Sequence, residues 1–117
     1  MGQAKFRLLV LYEAQEDTKD LRRYILKSFG AQTWKQTSAE LAVTLGNIRQ
    51  FPHSGYVPAE LADFGGLNFR EALSGQNRII YELRDDTIYI HVVTDARRDL
   101  RTLLQKRLLR FSLINSA

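Results

Sequence analysis

Residues 67–95 read LNFREALSGQNRIIYELRDDTIYIHVVTD. Three β-rich runs, Leu67 to Leu73, Asn77 to Leu83 and Thr87 to Thr94, are separated only by Ser74-Gly75-Gln76 and Arg84-Asp85-Asp86. Connections this short force antiparallel neighbours, because a parallel pair needs a crossover of a dozen residues or more. The stretch therefore predicts a three-stranded meander at the centre of the fold.

Upstream, Phe6-Arg7-Leu8-Leu9-Val10-Leu11-Tyr12 has strand length and is largely apolar on both faces, which predicts a further strand lying centrally or well covered. From about Gln15 to Phe29, the apolar positions Leu21, Ile25, Leu26 and Phe29 recur at helical spacing. Glu16, Asp17 and Asp20 come early and Lys27 late, which suits the helix dipole. Gly30 stops this helix, and a second runs from about Gln32 to Arg49 with Trp34, Leu41, Leu45 and Ile48 on its buried stripe. Phe51-Pro52 ends it, since a proline disfavours helical backbone in the residue before it. Five prolines and glycines then punctuate residues 52–66, which read as an irregular surface loop. The order β-α-α-β-β-β-α gives an α+β fold. Its mostly antiparallel twisted sheet has about four strands, the N-terminal helical hairpin packs on one face, and a C-terminal helix follows. The other face is expected to stay open.

The 117 residues are 44% hydrophobic and 26% charged with no Ser/Gly-rich stretch, so one domain over residues 1–117 is expected. The sequence holds no cysteine, which excludes disulfides, thiolate metal sites and thiol nucleophiles and fits a reducing, cytoplasmic setting. Apolar runs are too short for a bilayer, and no secretory h-region opens the chain. His53 has no partner at ligand spacing, so no metal is expected, and no cofactor. The net charge of +4 sits entirely in the last 23 residues, where six basic residues face two acids. This asymmetry predicts one cationic surface for an anionic partner, with Arg70, Arg97, Arg98, Arg101, Lys106 and Arg107 as candidate contacts.

Several groups of residues carry a wider likeness: Ala14, Asp17, Asp20, Leu21 and Ile25; Phe51-Pro52-x-x-Gly55; Phe69-Arg70-Glu71-Ala72-Leu73; Arg78-Ile79-Ile80-Tyr81; and Ile90-His91-Val92-Val93-x-Asp95-x-Arg97-Arg98-Asp99. In this order, from Phe6 to Arg110, they resemble the RelE/ParE toxin superfamily. The resemblance implies the growth-inhibiting toxin of a bacterial type II toxin-antitoxin pair, of the kind linked to plasmid stabilisation. It also implies a separately encoded cognate antitoxin that covers the toxin in a hetero-oligomer. Such toxins divide between RelE-like ribosome-dependent mRNA endoribonucleases and ParE-like poisons of DNA gyrase. The long helical hairpin is similar to the ParE branch, and the reading leans there, with the mRNA interferase as the alternative.

The nuclease branch implies arginines at the positions of Arg78 and Arg98, able to clamp a phosphate bidentately as catalytic groups. It also implies a basic pair on the strand of residues 67–73, where only Arg70 stands, and a tyrosine where the last helix has Leu104. Glu60 and His91 are the remaining candidates for a general base. Each residue has a structural reading too. Arg78 can pair with Glu71 or Glu82 across the sheet. Arg98 can pair around Asp95 and Asp99, one of which N-caps the last helix. His91, between Ile90 and Val92, can simply be hydrogen-bonded, and Leu100, Leu103, Leu104 and Leu108 form a stripe that docks on the domain or on a partner.

Overall fold

The computed structural model describes residues 6–64 and 69–115. Strand β1 (Arg7–Val10) leads into helices α1 (Tyr12–Ser28) and α2 (Ala31–Gln50), followed by 3-10 turns at Pro52–Ser54 and Ala59–Phe64. Strands β2 (Phe69–Ser74), β3 (Asn77–Arg84) and β4 (Thr87–Asp95) follow, and then helix α3 (Leu100–Asn115). The sheet order is β1-β4-β3-β2, with β1 parallel to β4 and the other pairs antiparallel. The meander thus forms as its short connections require. Its tight turns place Gly75 at φ 59° and Asp85 at φ 56°, in the left-handed region that glycine and aspartate tolerate best.

Helices α1 and α2 lie on one face of the sheet. Ala14, Leu21, Ile25, Leu41 and Ile48 bury against Ile79, Tyr81, Leu83, Ile88, Ile90 and Val93, with Trp34 and Leu45 packed around them. Gly30, at φ 96°, turns the chain between the helices, and its N–H reaches back to the Ile25 carbonyl at 3.0 Å. Leu26 and Phe29 do not share the buried stripe: both are exposed, because Ala14, Asp17, Leu21 and Ile25 already fill the line that faces the sheet.

Two further expectations are corrected. Strand β1 is a four-residue edge strand and not a covered central one, and Leu9 on it is 44% exposed. Helix α1 already begins at Tyr12, which cuts the strand short. The second sheet face is not open, since Leu100 and Leu104 of α3 bury against Phe69, Ile80, Val92 and Leu61. Of the run Leu67 to Leu73, Leu67 and Asn68 lie outside the described residues, and β2 starts at Phe69.

A bulge lets one strand serve both layers. Ile80 pairs with Val92 but Tyr81 with Ile90, so His91 is an extra residue in β4. Tyr81 then points to the helical hairpin, where its hydroxyl donates to the Pro52 carbonyl at 2.7 Å. The same turn receives Arg70 Nη1 on the Gly55 carbonyl at 2.8 Å. A Cβ on Gly55 would stand 2.3 Å from Tyr81 Oη and 2.8 Å from the Glu71 carbonyl, so the turn closes only without a side chain there. This gives a physical reason for Phe51-Pro52-x-x-Gly55. Gly55→Ala is expected to destabilise the protein by about 1–3 kcal/mol through overpacking, read as a lower urea midpoint at unchanged slope.

Candidate functional site

On the α3 side of the sheet, Arg78 is held between two carboxylates. Its Nη1 and Nη2 donate to the two oxygens of Glu60, each at 3.0 Å, while Nε and Nη2 engage Glu71 from the adjoining strand. The cross-strand partner is therefore Glu71, as one structural reading expected, and Glu60 is added by the second 3-10 turn. Glu71 is fully buried, and the Arg78 side chain is 14% exposed against 32% for Glu60. The hydrogen bonds that Arg78 donates to Glu71 and then to Glu60 raise its pKa, which fixes the positive charge. The Arg78 fork in turn holds Glu60 below the usual carboxylate range, with a smaller contribution from nearby Arg101. A carboxylate locked this way is a poor proton acceptor, so Glu60 is not poised as a general base.

His91 is buried too. Its Nε2 lies 3.0 Å from Glu82 Oε1, its ring packs on Phe69 at 5.0 Å, and Arg84 completes the group by donating to Glu82 Oε2 at 2.7 Å. Burial works against the Glu82 charge, but the bonds from His91 and Arg84 outweigh it and lower the pKa. The sequence-selected base candidates thus sit in satisfied pairs and not at a shared opening.

The remaining cations separate. Arg107 is half-buried, and its Nη1 and Nη2 bind the Asp17 carboxylate at 2.9 and 2.7 Å. Nη1 also donates to the His91 carbonyl at 3.1 Å, while Asp17 accepts from the Val93 N–H at 3.0 Å. Burial opposes the charge on Arg107, and Asp17 beside it more than compensates. Arg70 is committed to the Gly55 carbonyl. Asp99 caps α3, accepting from the Thr102 N–H at 3.2 Å and from its hydroxyl at 2.8 Å. Asp95 instead binds the Arg97 side chain and amide. Arg97, Arg98, Arg101 and Lys106 are exposed. The single cationic surface expected from the sequence is therefore split between internal ion pairs and an outer group.

Arg97 and Arg98 border a groove of about 580 Å³ between α1 and the end of β4, floored by Leu21, Tyr24 and Val93. Arg78 stands on the opposite side of the sheet, so the structure does not bring Arg78 and Arg98 to one phosphate. Leu104, at the position where the nuclease branch has a tyrosine, is fully buried. Sequence reasoning missed the Asp17–Arg107 pair although a signal was there: Asp17 lies in line with Ala14 and Leu21, and Arg107 with Leu100 and Leu104. A charge on a buried stripe calls for an opposite charge to meet it.

Residues 9–100 match the family described as the ParE toxin of type II toxin-antitoxin system, parDE. The chain belongs to the ParE toxin family. No curated protein matches the sequence. Among solved structures, the chromosomal ParDE toxin-antitoxin system from P. aeruginosa is similar with a TM-score of 0.62 at 11% identity, covering 79% of this chain and 97% of that one. A mutant of the E. coli toxin RelE in the free state is similar with a TM-score of 0.54 at 13% identity, covering 91% and 97%. At these identities the likenesses report the fold, and it is the fold common to ParE and RelE proteins. Among the described residues of this ParE-family chain no helix is long and apolar enough to cross a membrane, and no cluster of side chains could hold a metal ion.

Two outcomes follow for stability. Asp17→Asn removes the nearer of the two carboxylates on Arg107, leaving Glu13 at 3.4 Å from its Nε, and is expected to cost about 3 kcal/mol in urea unfolding, partly recovered when Arg107→Leu is added. Glu60 and Glu82 both have lowered folded-state pKa values, so the stability they supply is complete above the ordinary value of 4.5 and is lost as pH falls below it. Glu82→Gln should flatten the acid limb of a plot of melting temperature against pH.

Proposed function

We propose that this chain is the toxin of a type II toxin-antitoxin pair, acts in the cytoplasm as one domain, and arrests growth by binding DNA gyrase. The carrying observation is the state of the residues a nuclease would use. Arg78 is neutralised by Glu60 and Glu71, His91 is buried against Glu82, and Leu104 offers no hydroxyl. A phosphoryl-transfer site needs an accessible acid, base and cation around one phosphate. The described residues offer paired groups instead, which supports toxicity by binding. Membership of the ParE family supports the same reading.

The contacts are assigned to the exposed cations Arg97, Arg98, Arg101 and Lys106. A cognate antitoxin with an acidic segment is the second partner, lying along the groove that Arg97 and Arg98 border and meeting Tyr24, which is 44% exposed. Brief expression in a bacterium, followed by mapping of both RNA ends and gyrase-linked DNA breaks, tests the target. DNA breaks with SOS induction and intact mRNA are expected. Codon-phased mRNA ends without DNA damage would establish the endoribonuclease instead. Arg98→Ala should weaken growth arrest about tenfold in inducer dose without lowering the melting temperature, because the side chain is exposed.

A further inference from the structure

The turn between β2 and β3 leaves two buried polar side chains without partners. Ser74 and Asn77 pair across it in register, both face α2, and they are 3% and 7% exposed. Among the described residues the Ser74 hydroxyl has no hydrogen-bond partner, and none reaches the Asn77 side-chain amide. Buried polar groups are as a rule satisfied, so two unfilled ones at one spot mark a place where something else binds. Ser74 lines one section of a groove between the turn and α2, and Asn77 the next; the sections hold about 430 and 380 Å³ and meet at Gln36, Glu40 and Gly75. Glu40 lies over the turn, since a Cβ on Gly75 would stand 3.1 Å from its Oε1. Among the described residues no cation pairs with Glu40, whereas Arg97, at the end of the groove, is already held by Asp95.

We infer that this groove seats an arginine side chain of a partner polypeptide. The unpaired Glu40 carboxylate attracts a cation and repels an anion. A metal ion is a poor match, because among the described residues no three ligating side chains cluster. A guanidinium offers five donors in a flat fork, enough for both Glu40 oxygens, the Ser74 hydroxyl and the Asn77 side-chain carbonyl, where an ammonium has three. Its flat face also suits the Tyr24 and Phe29 rings at the end of the groove, whose centroids are 6.0 Å apart and of which Phe29 is 62% exposed. An arginine within a chain further brings a peptide carbonyl for the Asn77 NH2 group, which a guanidinium alone cannot satisfy. The other section is bordered by Val43 and Leu73, both exposed, and takes an apolar neighbour of that arginine. Through Tyr24 and Arg97 the groove runs on into the one assigned above to the antitoxin, so the same partner segment sets an acid beside Arg98 and an arginine on Glu40. Only the partner's identity rests on that proposed function; the chemistry of the groove stands apart from it.

The test is an NMR titration of the isotope-labelled full chain at low salt with the peptide acetyl-Leu-Ala-Arg-Ala-Leu-amide. Its citrulline counterpart keeps the shape and loses the charge, its glutamate counterpart reverses the charge, and arginine amide lacks the chain. Shifts are expected at Ser74, Gly75 and the Asn77 side-chain amide, with the arginine peptide about fivefold tighter than the citrulline one. In Glu40→Gln that advantage should shrink to within about twofold. Glu40 is exposed on α2, so this variant keeps the fold. Absence of shifts at these residues, equal binding of the arginine and citrulline peptides to wild type, or an unchanged advantage in Glu40→Gln would overturn the inference. So would tighter binding of the glutamate peptide, and arginine amide binding as tightly as the arginine peptide would overturn the assignment to a polypeptide. The titration uses neither antitoxin nor growth assay, so it can fail while the growth-arrest reading holds and succeed where that reading falls.

Discussion

The Asp17 carboxylate stands where a strand is missing. Strand β1 pairs with β4 only from Arg7 to Val10, so among the described residues the second half of β4 has no neighbouring strand on that side. Backbone groups left there without partners would each cost free energy if buried. Asp17 accepts the Val93 N–H, and Arg107, drawn to Asp17, donates to the His91 carbonyl. Two side chains from opposite layers thus complete a sheet edge and bind each other while doing so. This clasp ties α1 on one face to α3 on the other, and the positions of both helices depend on it.

Around that edge, the two faces of the sheet carry different chemistry. The hairpin face is largely apolar, with Tyr81 and Arg70 fastening the turn of residues 51–55 and Asn77 buried towards its far end. The α3 face holds three charged groups in its interior or at its margin: Arg78 with Glu60 and Glu71, Glu82 with His91 and Arg84, and the clasp itself. Buried ion pairs stabilise a fold weakly, but breaking one is costly, so they define which partner each side chain can have. Cations that look free in the sequence are bound in the fold for this reason. Arg98, Arg101 and Lys106 are exposed on the turn before α3 and along that helix, and Arg97 is exposed while paired with Asp95.

Element order, antiparallel pairing and both helices of the hairpin were legible because short connections and apolar spacing constrain them locally. Asn77-Arg78 through Thr94 could scarcely fold otherwise. The edge position of β1 was not legible, since Leu8, Leu9 and Val10 have the composition of a central strand and only long-range pairing decides their place. Coverage of the second face by α3 was half legible: the leucine stripe announced a docking surface but not its address. Among site residues, the pairing of Arg78 with Glu71 was one of two that the antiparallel strands allowed, Glu82 being the other. Glu60 did not, because a contact from an irregular loop leaves no periodic trace. Of the basic residues of the C-terminal segment expected on one surface, Arg97, Arg98, Arg101 and Lys106 are exposed while Arg107 folds inward, as charge composition says nothing about which guanidiniums do so.

The extra residue in β4 has a consequence for how this chain can vary. Before it, Ile88 and Ile90 address the hairpin; beyond it, Val93 does, with His91 and Val92 both turned to α3. The strand is in effect two half-strands written in opposite reading frames. A lineage that lost one residue here would keep nearly the same composition, yet every side chain downstream would exchange inside for outside. Insertions and deletions should therefore accumulate in the loops between residues 52 and 66 and be purged from this strand, whatever freedom its individual positions retain.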